Sequence, residues 1–247
     1  MIHYHGGPIT PIRCAREAWR SRHAFISFAR TDQLALAAEI CQSFALDNGA
    51  FSVWRRNEVP DWPEYYRLID KWRMHPGFDF AIIPDVIDGT AEDNDELIAA
   101  WPFDKSVGVP VWHMHEPISR LCELAAEWPR VALGSSGQFQ NVGDENWWER
   151  MTSAMNKLTA NTDGSAPCKL HGLRMLSPTV FSHLPLSSAD STSVARNIGL
   201  DVHWKGRYLS ELSKQTRAAV LIDRIEAHAS ASRWEPRMEQ MNLGLLG

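Results

Sequence analysis

The sequence predicts an α/β protein and, within that class, a single-domain (β/α)8 barrel of TIM type covering residues 1–247. Three observations carry the prediction. Short apolar runs recur along the chain, and several end in a chemically active side chain. Helix-like stretches separate them. No GxGxxG follows the first run, which disfavours a doubly wound dinucleotide-binding sheet.

The clearest run is Leu184-Pro-Leu-Ser-Ser-Ala-Asp190-Ser-Thr-Ser-Val-Ala-Arg196-Asn197, where apolar residues give way to small ones, an acid and a polar turn. Ser43-Phe-Ala-Leu-Asp47 and Phe80-Ala-Ile-Ile-Pro-Asp85 follow the same pattern. Val109-Pro-Val-Trp-His113-Met-His115 and Lys169-Leu-His171-Gly172 repeat it with histidine. In chain order the expected strands are Ile2–His5, Ala24–Phe28, Phe44–Asp47, Phe80–Pro84, Val109–His113, Val131–Gly134, Lys169–Gly172 and Pro185–Ala189. Asp32 is the expected cap of a helix over Gln33–Ser43, and Asp61-Trp-Pro-Glu64 opens one running to about Met74, with proline in its first turn. Further helices are expected over Asn94–Trp101, Pro117–Glu127, Glu145–Leu158 and, longest, Leu209–Ser230.

Composition narrows the function classes. Hydrophobic residues make up 44% of the chain and there are 11 Trp, enough for a large core. A net charge of −5 argues against a uniformly basic nucleic-acid coat, though not against a local basic groove. Cys14, Cys41, Cys122 and Cys168 form no CxxC pair, so a zinc knuckle is not expected, and reduced cysteines suit the cytoplasm. The N-terminus lacks the pattern of a signal peptide, and no apolar run approaches ~20 residues, so no membrane partner is expected.

In a barrel the C-terminal strand ends converge on one pocket. Those ends supply His3, His5, Arg30, Asp47, Asp85, His113, His115, Gly134, Ser135, His171 and Asp190. A carboxylate pair there can divide labour between nucleophile and proton donor. Asp47 before Asn-Gly and Asp190 before Ser-Thr-Ser also read as turn caps, as do Asp85 and Asp88. Gly134-Ser-Ser-Gly137 can present backbone N–H groups to a carbonyl or phosphate oxygen. His3 and His5 with His171 and Asp190 form a second reading, a metal-dependent hydrolase resembling barrel amidohydrolases, although the lysine usual at a mid-barrel strand end is missing.

The ordered set of motifs resembles the guanine transglycosylases, barrels that exchange guanine for a 7-deazaguanine in tRNA or DNA. Leu46-Asp47-Asn-Gly-Ala-Phe51 looks like that family's Asp-Ser-Gly-Gly-Phe segment, which implies a general acid/base role for Asp47. Ile83-Pro-Asp85 looks like the segment holding the guanine edge, and Ala132–Gly137 like the loop contacting the base carbonyl. Leu170-His171-Gly-Leu173 followed by Ser188-Ala-Asp190-Ser191 looks like the closing strands, implying Asp190 as nucleophile. The likeness extends through His3-Tyr-His-Gly6, Trp112–Pro117 and Cys168–Asn197, and is strongest to the DpdA-type DNA transglycosylases.

Two departures from the family bear on the substrate. The zinc subdomain of the tRNA enzymes, with its cysteine cluster, has no counterpart, so no zinc is expected and DNA is favoured over tRNA. His113 or His115 stands where the family places a base-reading glutamine. The resemblance therefore implies DNA and a 7-deazaguanine base such as preQ0 as substrates, no cofactor, and a helicase or ATPase as an eventual partner. Asp85, His113, His115, Gly134, Ser135 and His171 become candidate base contacts, with Tyr4, Phe51 or Trp112 available for stacking. Arg196, Asn197, Lys205 and Arg207 become candidate phosphate contacts, with Trp204 and Tyr208 beside them.

Overall fold

Strand β1 (Ile2–Gly6) lies between β2 (His23–Ser27) and β9 (Ser188–Ser191), so the first and last strands of the chain are neighbours. Beyond β2 come β3 (Ser43–Asp47), β4 (Phe78–Ile82) and β5 (Gly108–Val109). Beyond β9 come β8 (Lys169–Gly172), β7 (Arg130–Gly134) and β6 (Val111–His113). Every pairing is parallel. This is a computed structural model, and it describes residues 1–199 and 213–236.

The two ends of that strand order, β5 and β6, are consecutive in the chain with only Pro110 between them. Proline has no N–H to give the ladder, which interrupts it there. The Pro110 carbonyl still accepts from Ala132 N at 2.9 Å. β5 and β6 thus form one strand with two partners, β4 and β7, and the sheet curls into the expected (β/α)8 barrel.

All eight expected strands are present, with ends shifted by a few residues. The expected helices appear as α2 (Leu34–Ile40), α4 (Trp62–Trp72), α5 (Ala91–Ala99), α6 (Ile118–Glu127) and α7 (Glu145–Leu158). Asp61 caps α4 by accepting from Glu64 N at 2.9 Å. Asp32 does not cap α2: the N-cap is Gln33, whose side chain instead exchanges two 2.9 Å hydrogen bonds with the backbone of Ile9. Of the long final helix, α10 (Lys214–Glu226) is described; it starts after the Ser213 cap, and the expected residues 209–212 lie outside the described residues. Four helices were not anticipated: α1 (Ile12–Trp19), α3 (Ala50–Arg56), α8 (Pro178–Phe181) and α9 (Ser193–Asn197). The last three are one or two turns long, too short for a periodic signal.

Two apolar layers hold the fold. Inside the barrel pack Tyr4, Phe25, Ala45, Phe80, Ile82 and Val111 with their neighbours. A larger layer, including Trp19, Trp112, Trp147 and Leu133, fills the space between barrel and helices. Burying large aromatic side chains contributes about 25 cal/mol per Å² of apolar surface. The barrel floor is polar: the Tyr4 hydroxyl hydrogen-bonds Asp79, and Arg130 pairs with Asp79 at 3.2 Å while lying over the Phe80 ring. None of the helices among the described residues is long and apolar enough to cross a membrane.

Candidate active site

A cavity of about 270 Å³ opens at the C-terminal ends of the strands. Asp47, Asp85, Asp190 and His113 line it, together with Gly134 and Ser135. β2 and β3 end in register, so Ser27 stands beside Asp47. After Asp47 the chain turns sharply through Gly49, whose φ of +76° is a left-handed conformation that glycine adopts without strain. A Cβ there would also approach Ala29 N to 3.0 Å. Asn48 fixes the turn from three sides. Its Oδ1 accepts from Ala50 N at 2.9 Å, and its Nδ2 donates to Ile83 O at 2.8 Å and Asp85 Oδ1 at 2.5 Å. From behind, the buried Tyr65 hydroxyl donates to Ile82 O at 2.8 Å and lies 3.3 Å from Leu46 O, tying the ends of β3 and β4 together.

The three acids stand in different surroundings. Asp47 is half-buried where its carboxyl meets the cavity, and desolvation is the largest cause pushing its pKa up to about 7. The charges of Asp190 and Asp85 push the same way, while the Ser27 hydroxyl and the Gly49 N–H oppose them. Asp190 Oδ1 accepts from Arg174 N at 2.9 Å and lies 3.5 Å from His171 Nε2, a contact and not a hydrogen bond. Asp85 Oδ2 lies 2.7 Å from His113 Nε2, although the ring N–H direction misses hydrogen-bond alignment.

His113 is seated by glycine and by a buried ion pair. A Cβ on Gly134 would come within 3.0 Å of Val111 Cγ1 and 3.2 Å of His113 Nδ1, so a larger residue would press the ring aside by a few tenths of an ångström. Glu116 Oε2 accepts from His113 N at 2.9 Å and from Arg120 at 2.8 Å, and Arg120 reaches on to Asp95. Asn94 donates to the other Glu116 oxygen at 3.0 Å, so this buried carboxylate is paired and hydrogen-bonded on both sides.

Other expected residues fall elsewhere. His115 leaves the cavity lining; its ring is exposed and lies 2.8 Å from Ser136 Oγ and 3.0 Å from Gly89 O. His171 is fully buried inside the barrel among Tyr4, Phe25 and Phe80, behind Asp190, with Nδ1 2.8 Å from Ser188 Oγ. Arg196 lines the cavity, whereas Asn197 donates to Ser193 Oγ at 3.2 Å and does not line it. Lys205 and Arg207, with Trp204 and Tyr208, lie outside the described residues. Of the stacking candidates Phe51 lines the cavity, while Tyr4 and Trp112 are core.

The paired histidines of the hydrolase reading face away from the pocket. Ile2 and Tyr4 pack into the barrel interior, so strand alternation sends His3 and His5 outward. His3 Nε2 lies 3.1 Å from His228 O, and His5 Nε2 lies 2.9 Å from Glu226 on α10. That metal constellation does not assemble, and the described residues contain no group of three or more His, Cys, Asp or Glu side chains placed to hold an ion.

The reading from sequence missed Arg174. It lies two residues past the end of β8, with a left-handed φ of +59°. Its backbone N–H holds Asp190, its guanidinium donates to Ser135 O at 2.8 Å, and it lies 4.7 Å from the Phe51 ring centre. Burial lowers its pKa, and the charges of Asp190 and Asp47 oppose that. A side chain other than glycine in the left-handed region costs on the order of 1 kcal/mol, and such strain gathers at functional sites. The only sequence signal was its position just past a strand end.

No family model matches the chain, and no curated protein matches it. Among solved structures it is similar to a protein described as "Structural study of Project ID from Aquifex aeolicus VF5". The TM-score is 0.51 at 13% identity, over 92% of this chain and 90% of that one, a likeness of fold.

Proposed function

We propose that the protein is a nucleic-acid base-exchange enzyme that replaces guanine in DNA with a 7-deazaguanine through a glycosyl ester on Asp190. The observation that carries this reading is the paired acids: Asp47, with its pKa raised to about 7, shares one small cavity with Asp190. Two carboxyl groups in unlike environments suit acid and nucleophile roles. The cavity is too small for a duplex, so the target nucleotide would enter flipped from its stack.

In the first half-reaction an Asp190 oxygen attacks C1′ of the deoxyribose and the C1′–N9 bond breaks. The bond pair leaves with guanine, which takes the Asp47 proton. In the second, the incoming base gives its N9 proton to Asp47, N9 attacks C1′, and the ester bond to Asp190 breaks. Two displacements at C1′ retain configuration, as in retaining glycosidases with a base in place of water. Asp85, next to His113 and Asn48, would accept from the N1–H and N2–H edge of guanine. The backbone N–H of Ser135, just past the end of β7, would hold its carbonyl, and Phe51 would stack on its face.

The test is a denaturing gel of protein mixed with guanine-containing DNA. A DNA–protein adduct that survives denaturation, maps to Asp190 by peptide mass and disappears in Asp190→Ala supports the reading. An adduct on another residue, or none with single-stranded DNA, double-stranded DNA or tRNA, refutes it.

A further inference from the structure

The aromatic lining of the cavity continues onto the protein surface along α3, which leaves the barrel mouth directly after Asp47, Asn48 and Gly49. Phe51 faces the cavity. One helical turn on, Trp54 is 46% exposed, an unusual position for so large an apolar side chain. The two ring centres are 5.8 Å apart with planes tilted by only 35°, so aromatic surface runs from the pocket to the outside.

Cations flank this path. Arg174 lies 4.7 Å and Arg55 5.9 Å from the Phe51 ring centre. Arg30 and Arg196 also line the mouth. Arg56 follows Arg55 on the exposed side of α3; its pairing with Glu58 at 2.8 Å is a surface ion pair, which holds an arginine only weakly. Five arginines therefore gather around one opening of a chain whose net charge is −5. Arg30 likewise meets Asp32 at 3.4 Å in an exposed pair, and an apolar partner would offer no anion to the rest of this positive charge. A single nucleic-acid strand supplies both needs, a flat base for each ring and a phosphate for each arginine.

We propose that α3 is a single-strand platform: Trp54 stacks on the base next to the flipped nucleotide, and Arg55 and Arg56 hold the adjoining phosphates. The inference rests on the base-exchange reading for the direction of the strand, into the cavity past Phe51. It adds a nucleic-acid contact to the one the sequence places from Arg196 onward.

Fluorescence anisotropy of a short labelled DNA strand tests it, with the same sequence as RNA and as duplex for comparison. Trp54→Ala is expected to weaken single-strand binding about 5- to 150-fold, the range for loss of one stacked base, and Trp54→Phe to restore most of it. Arg55→Ala is expected to reduce the slope of log affinity against log salt by about 0.7, one phosphate contact on a single strand. Unchanged thermal melting of each variant shows that folding is intact. Binding equal to wild type in Trp54→Ala, or no binding of any strand by the wild-type protein at low salt, overturns the proposal. If the strand binds through Trp54 but no base is exchanged, the catalytic reading fails and the platform stands. If exchange proceeds while binding is indifferent to Trp54, the platform fails and the catalytic reading stands.

Discussion

The raised pKa of Asp47 makes a prediction that needs no substrate. Its carboxyl moves from an ordinary 3.8 to about 7. Three pK units at 1.36 kcal/mol each give about 4 kcal/mol of penalty on the ionised form in the folded protein, an upper bound because the cavity admits water. The sign follows from proton counts. Between pH 4 and 7 the unfolded chain has lost this proton while the folded chain keeps it, so stability falls as pH rises through that window and is level above it. Asp47→Asn removes the titration and keeps the shape. Urea unfolding at pH 5 and pH 8 should show wild type losing up to about 2.7 kcal/mol more than the variant, because only about two of the three pK units lie between pH 5 and the folded pKa. The same difference between wild type and variant at both pH values would refute the idea that Asp47 is protonated at neutral pH, and with it the acid role. In turnover, Asp47→Asn should reduce kcat by roughly 100-fold or more, the usual scale for loss of a general acid.

Three further predictions concern the supports of the site. Gly49→Ala places a Cβ in the left-handed region and against Ala29 N, so it should cost about 1–2 kcal/mol in urea unfolding. Arg174→Gly relieves the left-handed strain but gives up the bond to Ser135 O and the Phe51 contact, so stability should change by about 1 kcal/mol or less while exchange is abolished, read from melting and turnover together. Glu226, pulled down to about 2 against the effect of burial by its hydrogen bonds from His5 and Arg22, stabilises the attachment of α10 above its ordinary pKa of 4.5. That contribution is lost as pH falls from there towards 2, so limited proteolysis at Lys214–Glu226 should quicken at low pH, and Glu226→Gln should blunt the dependence.

The strands were legible because each ends in small or polar residues after an apolar run, as in Ala45-Leu46-Asp47 and Ala189-Asp190. Convergence of Asp47, Asp85, Asp190 and His113 followed from the barrel alone. What stayed hidden was the facing of residues on strands buried on both sides, where alternation carries no polar signal. His3 and His5 thus resembled ligands, although Ile2 and Tyr4 claim the interior and turn both histidines to the helices. His115 was one step too far along its strand end, and Met114 beside it is fully buried in the outer layer. Arg174 was invisible because its role depends on a left-handed backbone that aims its N–H at Asp190, and a local sequence does not specify that for arginine. Helix α3 was hidden by its seven residues, too few to show an apolar face.

The most direct measurement is incorporation of an isotopically labelled 7-deazaguanine base into guanine-containing DNA by the purified protein, with released guanine counted in parallel. The account predicts one guanine released for each labelled base taken up, in wild type and not in Asp190→Ala. Uptake that persists in Asp190→Ala, or its absence with every nucleic acid tried, would contradict it.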